Sequence, residues 1–219
     1  MIINKLTLIE NEIQLKIDEF KNLNSVPQII AVSKTFPINH ILPLINHGHL
    51  HFGENKIQEA LEKWSDIKID HKELKLHMVG KLQTNKVKFA VQLFDYIHSL
   101  DNQRLADILS KTQSNLNRKL KYFIQVNIGN ELQKSGIPVN ELDSFYNYCK
   151  QEKKLEIVGL MVIPPNDKET NKYFKSLNEL NNSLALKHLS MGMSADYADA
   201  INCGATFVRI GSSIFGARS

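Results

Sequence analysis

A (β/α)8 TIM barrel, an α/β fold with one extra helix ahead of its first strand, is the architecture this sequence predicts. Eight apolar runs recur along the 219 residues and alternate with segments of helical periodicity, the pattern of parallel βαβ units. Eight units are what a closed barrel needs, and chains of this length commonly form one undivided. Neither GxGxxG nor GxxxxGKS/T occurs, so the glycine-rich first turn common in open doubly wound sheets is missing.

The segment from about Asn4 to Asn22 is amphipathic and predicts a helix against the outside of the barrel. It carries acidic as well as basic residues, lacks a small-residue cleavage site and never reaches a membrane-length apolar run. The first strand is Ile29 to Ser33, apolar without alternation and punctuated by Pro27 and Pro37, as a strand buried on both faces reads. A helix over Ile38 to Asn46 leads to strand two at Leu50 to Gly53, and a helix over Asn55 to Trp64 leads to strand three at Leu76 to Gly80. Strand four, Tyr96 to Leu100, hands over to a helix at Asn102 to Leu116. Strand five, Tyr122 to Ile128, is followed by a helix at Leu142 to Lys150. Strand six is Ile157 to Ile163, with a helix at Thr170 to Leu184. Strands seven and eight are Leu189 to Gly192 and Phe207 to Gly211. No Pro/Gly/Ser-rich linker and no internal repeat divides the chain, so residues 1–219 are read as one barrel domain.

Hydrophobic residues make up 42% and charged residues 23%, the balance of an ordinary globular chain. The formal charge of +4 comes from 27 basic and 23 acidic residues mixed along the sequence, which predicts no nucleic-acid surface and no membrane partner. Cys149 and Cys203 stand alone without metal-ligand spacing and read as packing residues of a cytoplasmic protein. No metal site is expected.

Barrel active sites form where strands hand over to loops at their carboxyl ends. There the sequence supplies Lys34, "HFGEN" (His51 to Asn55), "HMVGKLQTNK" (His77 to Lys86) and "GLMVIPP" (Gly159 to Pro165). The last two strands supply "LSMGMSADYADAI" (Leu189 to Ile201) and "VRIGSSIFG" (Val208 to Gly216). In these last two loops Gly192 and Gly211 are followed by serines and a helix start, so main-chain N–H groups and hydroxyls converge as they do on a phosphate. Taken singly, Ser190, Ser194, Ser212 and Ser213 read equally as helix caps. A lysine at the mouth of an apolar barrel meets a desolvation cost that raises its share of nucleophilic amine, the form that captures an aldehyde as a Schiff base. Amine plus phosphate loops suit a phosphorylated aldehyde, either pyridoxal phosphate or a sugar phosphate. Arg209 faces opposite to Val208 and Ile210 by strand alternation. It is read either as a donor to a pyridine nitrogen or as a rim arginine paired with a carboxylate.

"AVSKTFP", "HFGENKIQEA", "HMVGKLQTNK", "SLDNQRLA", "VNIGNELQKSGI", "GLMVIPP" and "LSMGMSADYADAINCGATFVRIGSSIFGAR" together resemble, over nearly the whole chain, the pyridoxal phosphate homeostasis proteins. The resemblance implies a barrel similar to the N-terminal domain of alanine racemase, with pyridoxal 5'-phosphate held as a Schiff base on Lys34. Phosphate contacts map to Ser190, Gly192, Met193, Gly211 and Ser212, and a pyridine-facing arginine maps to Arg209. Asn55, His77 and Met161 map to positions lining the pocket. The resemblance further implies a role in intracellular vitamin B6 and amino-acid balance without established turnover, and apo forms of pyridoxal-phosphate enzymes as partners. A monomer or weak homodimer is expected. Racemisation by two opposed bases needs a second base, supplied in alanine racemase by a further domain that this sequence does not show. A small racemase-like enzyme and a class I aldolase are the alternatives. Phe36 stands where many members carry a second lysine, Lys56 where tyrosine is frequent, and Met78-Val79 where Phe-Ile is usual.

Overall fold

The computed structural model describes residues 2–19, 26–131, 133–167 and 169–216. Helix α1 (Ile2–Glu19) buries Leu6, Ile9 and Ile13, which share one face by their three- and four-residue spacing. The expected end of this helix at Asn22 lies outside the described residues. Along the chain follow β1 (Gln28–Val32), α2 (Ile38–Asn46), β2 (His51–Glu54), α3 (Ile57–Trp64), α4 (Ile67–Asp70), β3 (Lys75–Met78), α5 (Val87–Leu93), β4 (Tyr96–Leu100), α6 (Gln103–Asn115) and β5 (Lys121–Asn127). Then come β6 (Ile137–Pro138), α7 (Leu142–Asn147), β7 (Glu156–Met161), α8 (Thr170–Ser183), β8 (His188–Met193), α9 (Tyr197–Asn202), β9 (Phe207–Ile210) and α10 (Ser212–Phe215).

All ladders are parallel. The sheet runs β1–β2–β3–β4–β5–β7–β8–β9 and returns to β1, closing an eight-stranded barrel, and β6 is a two-residue appendage on β5. The (β/α)8 expectation therefore stands, with strand limits moved by no more than two residues. α1 packs across α2, α9 and α10 on the outside, where the sequence places the extra helix.

Four short helices lie beyond the periodicity signal. α4 and α10 are single turns, too short to show a period, and α5 (VKFAVQL) is apolar and β-branched enough to read as strand. α9 (YADAIN) follows β8 after a three-residue turn. α6 begins one residue later than expected because Asn102 is its cap, its side-chain oxygen accepting from Leu105 N–H at 2.9 Å. The helix expected to reach Lys150 ends at Asn147 and widens into a π-turn over Tyr148–Glu152.

Two layers of packing follow from strand alternation. Ile29, Ala31, Val208 and Ile210 face the helices, together with Trp64, Phe52 and Leu44. Ile30, Val32, Phe123, Met161 and Phe207 form a small apolar cluster in the barrel lumen. Cys149 and Cys203 are buried thiols, and burial pushes Cys149 up to about 12, which leaves it no thiolate at neutral pH. No helix among the described residues is long and apolar enough to cross a membrane.

Candidate functional site

Lys34 leaves the barrel in a turn. Ser33 N–H extends the β1–β2 ladder by one bond to the Gly53 carbonyl at 2.9 Å, and Phe36 N–H returns to the Ser33 carbonyl at 3.2 Å, closing the turn over Lys34 and Thr35. The Phe36 ring stacks on Phe215 with centroids 5.0 Å apart, joining this first loop to the last.

At the carboxyl ends of the strands lies a cavity of about 450 Å³, within the range of small-ligand sites. Lys34 and Phe36 line one side, Asn55 and Gly80 the next, and Met193, Ser194, Arg209, Gly211 and Ser212 the far side. Of the ten residues expected at a cofactor, Lys34, Asn55, Met193, Arg209, Gly211 and Ser212 are brought to this cavity. His77, Met161, Ser190 and Gly192 are not among the cavity's lining residues. Asn55 Oδ1 is buried without a hydrogen-bond partner, a polar atom presented for a ligand.

The two serine–glycine loops meet at Ser194, one of the loop serines weighed above but not among the phosphate contacts that the resemblance implies. Its hydroxyl accepts from Gly211 N–H at 3.3 Å and Ser213 N–H at 3.4 Å. Ser190 instead points into the lumen and is fully buried. A bulge separates the two serines: Ser190 pairs with Phe207 but Met193 pairs with Arg209, so β8 spends three steps where β9 spends two. Gly192, at φ 87°, absorbs the extra residue, and a Cβ there would stand 2.6 Å from Ala200 Cβ. A glycine inside a strand run is the sequence sign of a bulge, but it does not say which serine the bulge carries to the cavity.

Arg209 is 5% exposed and forms part of the cavity floor, not its rim, and no carboxylate bonds it among the described residues. Nη1 donates to the Ser190 carbonyl at 2.7 Å and to Ser190 Oγ at 2.8 Å, and Nη2 donates to the Val162 carbonyl at 2.8 Å. Burial lowers its pKa to about 10, with Asp196 opposing, so it stays charged at neutral pH. Below it the lumen holds a column of rings. Ser190 Oγ meets His98 Nδ1 at 2.8 Å, His98 Nε2 meets His77 Nδ1 at 2.9 Å, and His77 Nε2 meets His51 Nδ1 at 2.9 Å. His77 stacks on Tyr96 and His98 on Phe123, each with centroids 4.3 Å apart. Desolvation lowers both His77 and His98 well below the usual histidine range, His98 also by the Arg209 charge, so the column is neutral. His77 is thus a support two bonds beneath Ser190, and Met161 packs in the apolar lumen cluster.

A cavity of about 440 Å³ opens at the opposite face, between α1 and the starts of β1 and β2, and its described lining residues include no lysine or arginine. The carboxyl-end cavity has the chemistry to take an anionic aldehyde: an amine, a cation, a hydroxyl and a serine–glycine cradle.

Fold and site define a barrel of the class described as "Alanine racemase, N-terminal domain", which matches residues 10–219. The pyridoxal phosphate homeostasis protein of Aquifex aeolicus is 40% identical over 200 residues, 87% of this chain and 87% of that one. That of Pasteurella multocida is 36% identical over 223 residues, 97% and 96% of the two chains. The chain belongs to the pyridoxal phosphate homeostasis protein family. The structure of PipY from Synechococcus elongatus with pyridoxal phosphate bound superposes with a TM-score of 0.84 at 34% identity, over 99% of this chain and 100% of that one. An alanine racemase of Clostridium difficile shares the fold, with a TM-score of 0.69 at 13% identity over 93% of this chain and 56% of its own.

Proposed function

We propose that this chain is a cytoplasmic holder of pyridoxal 5'-phosphate that serves vitamin B6 and amino-acid balance by keeping the cofactor and releasing it to apo forms of pyridoxal-phosphate enzymes. The observation that carries the reading is that Lys34 and the Ser194–Gly211–Ser212 cradle line one cavity whose floor is a buried arginine. The names of the relatives and the ligand of PipY support it. When bound, the cofactor supplies an aldehyde that an amine captures as a Schiff base.

Lys34 is the amine in this reading, and the short β1 turn presents it to the cavity. Ser194, Gly211 and Ser212 would hold the phosphate, with Met193 closing that side and Gly192 allowing the bulge that brings Ser194 round. Asn55, with its buried unpartnered oxygen, would accept a hydrogen bond from the ligand. Three of the five Arg209 N–H donors are spent on protein oxygens, and in this reading a remaining donor would meet the cofactor. A permanent cation at the pyridine side disfavours a proton on the ring nitrogen, so the site would hold the cofactor without making it a strong electron sink. Ser190, His77 and Met161 support this arrangement from beneath.

Borohydride reduction of the protein with pyridoxal phosphate, followed by peptide mass spectrometry, tests the reading. The adduct is expected on Lys34 and is expected to vanish in Lys34→Ala. Reduction that labels other lysines and spares Lys34 would sink it.

A further inference from the structure

The turn that carries Lys34 is gripped from one side by α3. We propose that Glu59 and Lys63, with Glu54 behind them, are positioning residues that aim the Lys34 amine and thereby set the affinity of the cavity for an aldehyde. The inference rests on the reading that Lys34 takes pyridoxal phosphate.

Thr35 has φ 70°, the left-handed region, which a β-branched residue adopts only where its surroundings impose it. Thr35 N–H donates to Glu59 Oε1 at 2.5 Å. Lys63 Nζ donates to that same oxygen at 3.0 Å, to the Ser33 carbonyl at 2.9 Å and to Glu54 Oε1 at 2.9 Å. An ammonium has three protons, and these three acceptors saturate it. Glu54 Oε1 also accepts from Ser33 Oγ at 2.7 Å and from Trp64 Nε1 at 2.9 Å. Both neighbours of Lys34 are therefore tied to the β2–α3 segment, while Lys34 itself lines the cavity.

The grip is one structural unit. Glu59 and Lys63 are four residues apart on one face of α3, the Lys63 side chain is 7% exposed and that of Glu54 fully buried. A buried ion pair of this kind adds little net stability against an apolar replacement; what it fixes here is geometry. Without the Glu59 acceptor, residue 35 relaxes toward negative φ, the Lys34–Thr35 peptide rotates, and the amine turns out of the cavity.

The test uses the full-length protein with Glu59→Ala, Glu59→Gln, Thr35→Gly and the double variant Glu59→Ala/Thr35→Gly. Glu59 is partly exposed, so these proteins are expected to fold. Glycine carries no left-handed penalty and so needs no grip. In the apoprotein, Glu59→Ala should speed hydrogen exchange at the Thr35 amide about tenfold by releasing its acceptor. In titrations with pyridoxal phosphate, Glu59→Ala should weaken binding about tenfold, the size of the left-handed penalty for a residue with a Cβ. Glu59→Gln, which keeps an acceptor oxygen, should lose less. The double variant should recover to near Thr35→Gly alone. Unchanged affinity in Glu59→Ala, or a double variant as weak as Glu59→Ala, overturns the positioning role. A wild-type protein that binds no pyridoxal phosphate on Lys34 instead overturns the function on which it rests, a result read separately by the borohydride adduct.

Discussion

The Arg209 guanidinium and the Ser190 hydroxyl lie 2.8 Å apart, and that hydroxyl heads a hydrogen-bonded column of three histidines. Arginine can only donate, so Ser190 Oγ accepts from it; His98 Nδ1 is the one acceptor among the described residues that its own proton can meet, and satisfying that proton sets the direction of the column. His98 then carries its proton on Nε2 and donates to His77 Nδ1, and His77 donates from Nε2 to His51 Nδ1. The cation on the cavity floor is thus backed by a neutral, directionally ordered column, and each member of it is satisfied by the next.

From this the two serines separate. Ser194→Ala should weaken binding of pyridoxal phosphate by about 0.5–3 kcal/mol, the range for hydrogen bonds to charged groups, and should leave binding of pyridoxal without its phosphate unchanged. Ser190→Ala removes a partner of Arg209, so it should weaken both ligands alike. Parallel titrations of the two ligands check this, and a phosphate-selective loss in Ser190→Ala would refute the assignment.

Acid should destabilise the apoprotein through the histidines. His49 is lowered by burial to about 4, and His77 and His98 lie well below the usual range. Their folded pKa values are depressed, so the stability they contribute is whole above the unfolded value of about 6.5 and is lost as pH falls from there toward the folded values. In that window each such histidine adds about 1.4 kcal/mol per pH unit to the slope. Urea denaturation at several pH values between 7.5 and 5 should show this slope, and His98→Gln should reduce it by about one proton. A flat profile in the wild type would contradict the neutral column.

How much of this the amino-acid sequence discloses depends on distance. The eight barrel strands are legible because runs such as "IIAV" are apolar on both faces and punctuated by proline. Lys34 is legible as a cation where such a run ends. The choice between Ser190 and Ser194 is not, because the two differ by a bulge whose existence depends on the pairing of β8 with β9. The histidine column is not legible either. Each ring is one residue in its own strand, and the bond from His98 to Ser190 spans 92 positions. Thr35 gives no local sign of left-handed backbone, since the groups that impose it sit on α3.

Met161 tests lumen packing as against cavity lining. It is fully buried with Ile30, Phe123 and Phe207 and is not among the residues lining the carboxyl-end cavity. Met161→Ala should cost about 2–5 kcal/mol of stability, the range for emptying such a position, while shifting cofactor affinity far less than Ser194→Ala. Denaturant midpoints and binding titrations on the same protein decide it. A large affinity loss at unchanged stability would place Met161 against the ligand.

Arg209 decides what kind of site this is. An acidic replacement would face the carbonyls of Ser190 and Val162 with no donors to offer them, whereas Arg209→Gln keeps an amide NH2 with two donors and removes the charge. The charge is the variable of interest, because a guanidinium toward the pyridine nitrogen opposes its protonation and a neutral amide does not. We expect Arg209→Gln to retain the borohydride-trapped adduct on Lys34 while the ring nitrogen of bound cofactor becomes easier to protonate. Nitrogen-15 NMR of labelled pyridoxal phosphate bound to both proteins reads that proton directly. A ring nitrogen already protonated at neutral pH in the wild type would show that Arg209 does not govern it, and would turn the site toward electron-sink chemistry of the racemase kind.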